Sequence, residues 1–191
     1  IEPVAGAAME NLDKGLVAAF LARLRRDSEK YGSWDDQTIL RTHRLVTEQA
    51  GHVAPTLAGL LCFGTYPQEF FPSLTVHILA FPTRDEGQTG DRGERLVDNQ
   101  KIEGAIPMMI SEAMRIIKRN IQKGRLVKGM LGDDLLEYPE DFIREALVNA
   151  IGHRDYQPLA RGSAVQVKLF PDRLEIVNPG GLPQGLDRRD F

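Results

Sequence analysis

Between Tyr138 and Pro183 the chain passes through a helix, two short strands and a glycine-bearing turn. Tyr138-Pro139-Glu140-Asp141 puts a proline and two acids at the helix start, where unsatisfied N–H groups and the positive end of the helix dipole favour them. Phe142, Ile143, Ala146, Leu147, Ala150 and Ile151 recur at helical spacing and form an apolar arc, with Asp141 and Arg144 on the opposite side. Ser163 to Phe170 and Arg173 to Val177 read as two strands joined tightly through Pro171-Asp172, and Asn178-Pro179-Gly180-Gly181 has the composition of a turn. A helix with an apolar arc followed at once by a strand pair is expected to pack against that pair as an α/β unit.

Glu145, Asn149 and His153 stand four residues apart on this helix. A step of four residues turns about 400°, so the three polar groups fall in one strip. On the helical wheel that strip lies along a shoulder of the apolar arc, which predicts that at least two of the three border a pocket closed on its far side by the turn at 178–181. Two chemistries fit. A carboxylate, an amide and an imidazole in a row can hold a metal and its ligand. Alternatively, Glu145 and Asn149 satisfy nearby backbone groups and His153 closes the helix C-terminus, where a cation is favoured.

Other chemistries are excluded by spacing. His153-Arg154-Asp155 looks like a kinase catalytic loop, but that loop needs Asn five residues after its Asp, and position 160 is Ala. The sequence contains no Gly-Lys-Ser or Gly-Lys-Thr, so it holds no P-loop, and the loop from Pro82 to Gly93 carries acids that would repel phosphate. One cysteine and four scattered histidines provide no zinc-ligand spacing. Cys62, in the apolar run from Leu57 to Phe63, reads as a reduced core thiol of a cytoplasmic protein, and no apolar run approaches the ~20 residues of a membrane span.

The remaining elements follow from periodicity and caps. Asp13 to Asp27 reads as a helix, and Ser33 with Asp36 as the start of a shorter one toward His43. Residues 45–47 and 52–54 flank a turn at Glu48 to Gly51 and form a hairpin, after which Thr56 caps a helix that ends at Gly64. Helix, helix, hairpin is the order of a winged helix. Thr75 to Phe81 is a strand, and Glu103 to Gln122 is the longest helix, with Pro107 in its first turn.

Two stretches, VAPTLAGLLCFGTYPQEFFP at 53–72 and FIREALVNAIGHRDY through VNPGGLP at 142–183, resemble a bacterial and archaeal family described as RecG-like ATP-dependent DNA helicases or transcriptional regulators. In that family an AlbA-like, Schlafen-related DNA-binding domain comes first. A middle region like this one follows, and then a divergent GHKL-type ATPase domain. The resemblance implies that Glu145 polarises the attacking water and Asn149 binds Mg²⁺, with His153 beside them. It also matches Asn178-Pro179-Gly180-Gly181 to the adenine-holding Asp-x-Gly-x-Gly box, with Asn178 in place of the Asp and Gly180 and Gly181 adjacent instead of alternating. The second glycine motif and the phosphate lid would lie beyond Phe191, and the chain begins with Ile, so the expectation is a piece of a longer protein without a complete ATP site.

A net charge of −3 is not the footprint of a chain that binds nucleic acid over its whole surface. One acid-free run departs from that average: Arg115, Lys118, Arg119, Lys123, Arg125 and Lys128. It could lie on phosphate, or it could be a solvated face answering acids elsewhere in the fold. The sequence thus predicts an α+β chain with a helix-rich part at 1–128 and the opening α/β unit of a GHKL-like two-layer fold at 129–191. It predicts a DNA-associated regulator as the full-length parent, with ATP and Mg²⁺ as the parent's cofactors and none held tightly by this chain. The competing classes are an active ATP-dependent helicase or ATPase, and an inert module that mediates homo-oligomer formation.

Overall fold

The computed structural model describes residues 2–49, 51–127, 139–158 and 160–179, with side chains of the longest helix described as far as Ile121. The fold is α+β. It divides into two compact units, Ile1–Pro72 with Glu103–Met108, and Ser73–Ile102 with Met109–Phe191. The division expected from the sequence at 128/129 does not coincide with this one. The strand at 75–81 and the helix after it belong with the C-terminal strands, because a strand is held by the partners it pairs with and not by its neighbours in the chain.

In the first unit, α1 (Lys14–Asp27) begins at Asp13, whose side chain accepts from the Leu16 N–H at 2.9 Å. The next helix, α2 (Asp36–Thr42), is capped by Asp35 and not by Ser33; the Asp35 carboxylate accepts from both the N–H and the hydroxyl of Thr38. This helix ends with the Leu45 N–H on the Leu40 carbonyl and the Arg44 N–H on the Arg41 carbonyl. Arg44 takes the left-handed position that glycine usually fills, at φ 60°. Strands β1 (Val46–Gln49) and β2 (His52–Pro55) form an antiparallel hairpin, with Gly51 at φ 78° in its turn. Helix α3 (Leu57–Phe63) follows, capped by Thr56.

Leu12, Leu21, Ile39, Leu40, Leu45, Val46 and Leu60 form the core of this unit, with Phe20, Trp34, Phe63 and Phe71 packed around them. The first turn of α3 is drawn onto the start of the hairpin. The Thr56 hydroxyl donates to the Arg44 carbonyl, and the Thr56 N–H donates to the Leu45 carbonyl. That approach leaves no room at Gly59, where a Cβ would sit 2.0 Å from the Leu45 oxygen.

The second unit is built on one mixed sheet of β3 (Val76–Ala80), β4 (Asp98–Ile102), β5 (Val165–Leu169) and β6 (Leu174–Val177), in the order β4-β3-β5-β6. The β3–β5 pair is parallel, and the other two pairs are antiparallel. Burial alternates along β3 and β5. Val76, Ile78, Ala80, Val165, Val167 and Leu169 are buried, while His77, Leu79, Gln166 and Lys168 are half-buried on the other face. Two helices complete the unit, α4 (Ile106–Val127) and α5 (Glu140–Gly152). They contribute Met109, Ala113, Ile116, Ile117, Ile143, Leu147 and Ile151 to the buried set.

Replacing Gly59 with Ala is expected to cost about 3 kcal/mol or more, because the added methyl meets a backbone carbonyl that two hydrogen bonds hold in place. Urea denaturation of the variant measures the loss; a change below about 0.5 kcal/mol would contradict this packing.

Candidate active site

Helix α5 begins at Pro139 with Glu140 and Asp141 in its first turn, as its sequence signals require. Its buried stripe is Ile143, Leu147 and Ile151, with Ala146 and Ala150 half-buried at its edge. Phe142 is 63% exposed and does not join it. With Phe142 outside the buried arc, that arc is narrower and rotated away from the predicted one. Glu145, Asn149 and His153 accordingly lie on the exposed side of the helix, not on a shoulder that borders a cleft. The predicted pocket is corrected to an open face.

Among the described residues, the side chains of Glu145, Asn149 and His153 make no hydrogen bond or ion pair. Neither Glu145 nor Asn149 therefore does the local backbone work that the alternative reading assigned to it. His153 is the C-cap of α5 and donates its backbone N–H to the Asn149 carbonyl at 2.9 Å. A carboxylate and a carboxamide one turn apart, both exposed and without a side-chain partner among the described residues, can meet a hydrated cation and its ligand from solvent. The donor set fits Mg²⁺, an oxygen-seeking ion that keeps several of its waters.

The turn after β6 lies beside the end of this helix. The Asp155 N–H donates to the Pro179 carbonyl at 3.2 Å, and α5 adjoins β6. Register explains the proximity. Helix α5 leads into the start of β5, and the antiparallel β5–β6 hairpin pairs Gln166 with Val177, so the chain leaves β6 close to where it entered β5. Asn178 is exposed there; Gly180 and Gly181 lie outside the described residues.

The segment that makes this junction is His153-Arg154-Asp155, whose likeness to a kinase loop fails on spacing, so the sequence gives Arg154 no role of its own. Arg154 is buried, its Nη2 donates to the carbonyls of Ala160 and Ser163, and its guanidinium lies 5.5 Å from the Tyr156 ring centroid. Burial pulls the Arg154 pKa down, opposed by the nearby Tyr156 and Asp155. An arginine just past a helix end has no periodicity to mark it, so only its place in the fold reveals it.

The basic run is largely spoken for where its side chains are described. Arg115 pairs with Glu112 and Lys118 with Glu140, and Arg119 donates to Asp98. The side chains of Lys123 and Arg125, and all of Lys128, lie outside the described residues. Asp98 sits on the buried face of β4 with its side chain 12% exposed. Burial alone would raise its pKa, but hydrogen bonds from Gln100, Asn120 and Arg119 outweigh that and hold it at about 2.

Comparison with known proteins adds two family matches. Residues 1–77 are similar to a family described as "Domain of unknown function (DUF8451)", and residues 162–190 to one described as "Putative ATP-dependent DNA helicase recG C-terminal". The second similarity is ATPase-related. It spans β5, β6 and the turn after them, and begins after α5, so it does not include Glu145 or Asn149. No curated protein and no solved structure matches the chain. Among the described residues no helix is long and apolar enough to cross a membrane, and no group of His, Cys, Asp or Glu is arranged to hold a metal by itself.

Asp98 titrates at about 2 in the folded chain against 3.8 as its ordinary value, so its contribution of about 2 kcal/mol is fully present above pH 4 and lost as pH falls through 2. Asp98→Asn is expected to destabilise the chain at neutral pH by at least this amount, since it also removes the counter-charge of Arg119. In urea denaturation at stepped pH the gap between wild type and variant should narrow below pH 4; a gap independent of pH down to 2 would contradict the assignment.

Proposed function

We propose that α5, the β5–β6 hairpin and the turn at Asn178-Pro179 form a nucleotide-binding face of GHKL-like type in a DNA-associated regulatory protein. The similarity of residues 162–190 to the RecG C-terminal family supports an ATPase- and helicase-related reading, and the finer reading is ours. The observation that carries it is the juxtaposition at the end of α5. Two unengaged polar side chains with the Glu-x-x-x-Asn spacing stand on a helix whose exit is bonded to the turn after β6. In this reading Asn149 would hold Mg²⁺ and Glu145 would polarise water, while His153 and Asn178 line the approach. When bound, Mg-ATP would supply the phosphoanhydride chemistry. The residues of the chain contribute orientation and charge.

An open face does not strip water from a ligand, and affinity is weak when a ligand stays mostly solvated. The chain is therefore expected to bind Mg-ATP no tighter than about millimolar, a binding free energy of ~4 kcal/mol, and not to hydrolyse it. Calorimetry reads this directly. Asn149→Ala should abolish the dependence of binding on Mg²⁺, whereas Glu145→Gln should leave binding intact. Micromolar affinity, or a Mg²⁺ dependence that survives Asn149→Ala, would contradict the proposal.

Association with DNA belongs to the same proposal, and its candidate residues within the chain are in the basic run. Arg115, Lys118 and Arg119 already have carboxylate partners, so the test falls on Lys123 and Arg125. Reversing both to Glu is expected to weaken binding to all duplex sequences alike and to reduce the salt slope by about one for each phosphate that is no longer neutralised. Fluorescence anisotropy across a salt series measures the slope; an unchanged value would assign the run to solvated surface.

A further inference from the structure

Arg154 is 5% exposed, and among the described residues no carboxylate pairs with it. Its Nη2 donates to the Ser163 carbonyl at 2.6 Å and to the Ala160 carbonyl at 3.3 Å, and among the described residues its Nε has no partner. Arginine is seldom buried, and burying its charge without a carboxylate in ion-pair contact is costly. An apolar side chain of similar length would fill the space with less penalty. What such a chain could not do is donate to two carbonyls at once, as the two N–H bonds of Arg154 Nη2 do.

Those carbonyls sit at a junction. Ser163 lies just before β5, and Arg154 lies just after α5. Next to it, the Tyr156 hydroxyl donates to the Ile151 carbonyl at 2.6 Å, satisfying a group that the last turn of α5 would otherwise leave open. Arg161 Nε donates to the Tyr156 carbonyl at 2.6 Å. Asp155, between the two, donates its N–H to Pro179. The end of α5, the start of β5 and the turn after β6 are thus tied together over three consecutive residues.

We propose that Arg154 is the positioning residue of the nucleotide-binding face: its hold on the Ala160 and Ser163 carbonyls locks the segment that keeps Asn149 and His153 in register with the turn at Asn178-Pro179. This rests on the functional reading above, and its test separates the two. Amide hydrogen exchange is followed by NMR in wild type, Arg154→Met and Arg154→Lys. In Arg154→Met the amides of Leu147 and Val167 should keep their protection, showing that helix and sheet persist, while the Asp155 amide should exchange at least tenfold faster. Lysine, with one ammonium for two carbonyls, should restore part of the protection. Mg-ATP titration of the same samples should show about a tenfold weaker response at Asn149 and Asn178 in Arg154→Met.

Unchanged Asp155 protection in Arg154→Met overturns the proposal, and so does a Mg-ATP response equal to wild type when that protection is gone. If Arg154→Met fails to fold, Tyr156→Phe removes one tie while keeping the ring; faster exchange at Asp155 then supports the clasp, and wild-type exchange refutes it. If wild type shows no response to Mg-ATP, the nucleotide reading fails on its own, and the exchange data alone uphold or overturn the role of Arg154.

Discussion

The parallel pairing of β3 with β5 brings Val76 opposite Val165 and Ala80 opposite Leu169, joining two segments far apart in the chain, and the site depends on it. A parallel connection cannot be made by a turn; it requires a crossover, and here the crossover contains β4, α4 and α5. Helix α5 is the last α-helix of that crossover, and Arg154 just past its end is bonded to the Ser163 carbonyl just before β5. The antiparallel β5–β6 hairpin then returns the chain to the same end of the sheet. Asp155 and Pro179 meet there as a consequence of topology, and the buried Arg154 fixes the meeting point. Nothing in the local sequence of either segment requires the other to be near.

Electrostatics in the second unit serve the fold before they serve any partner. Asp98 on the buried side of β4 gathers Gln100, Arg119 and Asn120, which ties α4 to the edge of the sheet. Lys118 reaches Glu140 at the start of α5 at 2.6 Å. A run of cations that looks in sequence like a stripe for phosphate is thus, over its described half, the complement of acids placed elsewhere. Pairs as exposed as Lys118–Glu140 contribute little each, whereas the Asp98 cluster is shielded enough to matter.

What the sequence discloses and what it withholds divide along physical lines. The cap at Thr56 is legible because a local backbone requirement is answered by a nearby side chain, and the start of α5 because a proline and two acids suit a helix N-terminus. Strands β3, β5 and β6 are legible from their β-forming composition. Strand β4, Asp-Asn-Gln-Lys-Ile, carries no such signal. It is a polar edge strand whose one buried apolar residue is Ile102, so its identity comes from pairing with β3. The cap of α2 falls on Asp35, although Ser33 with Asp36 has the pattern of a helix start; the choice turns on Thr38, whose N–H and hydroxyl both reach Asp35. Phe142 misleads most. Counting it in the apolar arc turns Glu145 and Asn149 toward a cleft, and its exposure turns them to solvent. The spacing of Glu145 and Asn149 is visible in sequence, but the bond from Asp155 to Pro179 is not, because hydrogen bonds between distant loops leave no periodicity.

The central claim is that the exposed side of α5 and the turn after β6 act together on one nucleotide. Paramagnetic broadening by Mn²⁺ with ATP tests it most directly, because it reports which residues lie near the metal. Amides of Glu145 to His153 and of Val177 and Asn178 should broaden together and before those of α1 and β4. Mn²⁺ without nucleotide should produce a weaker pattern, and Asn149→Ala should remove the response at both segments. Broadening confined to acids elsewhere, such as the loop at 85–94, or broadening of α5 without the turn, would contradict the account.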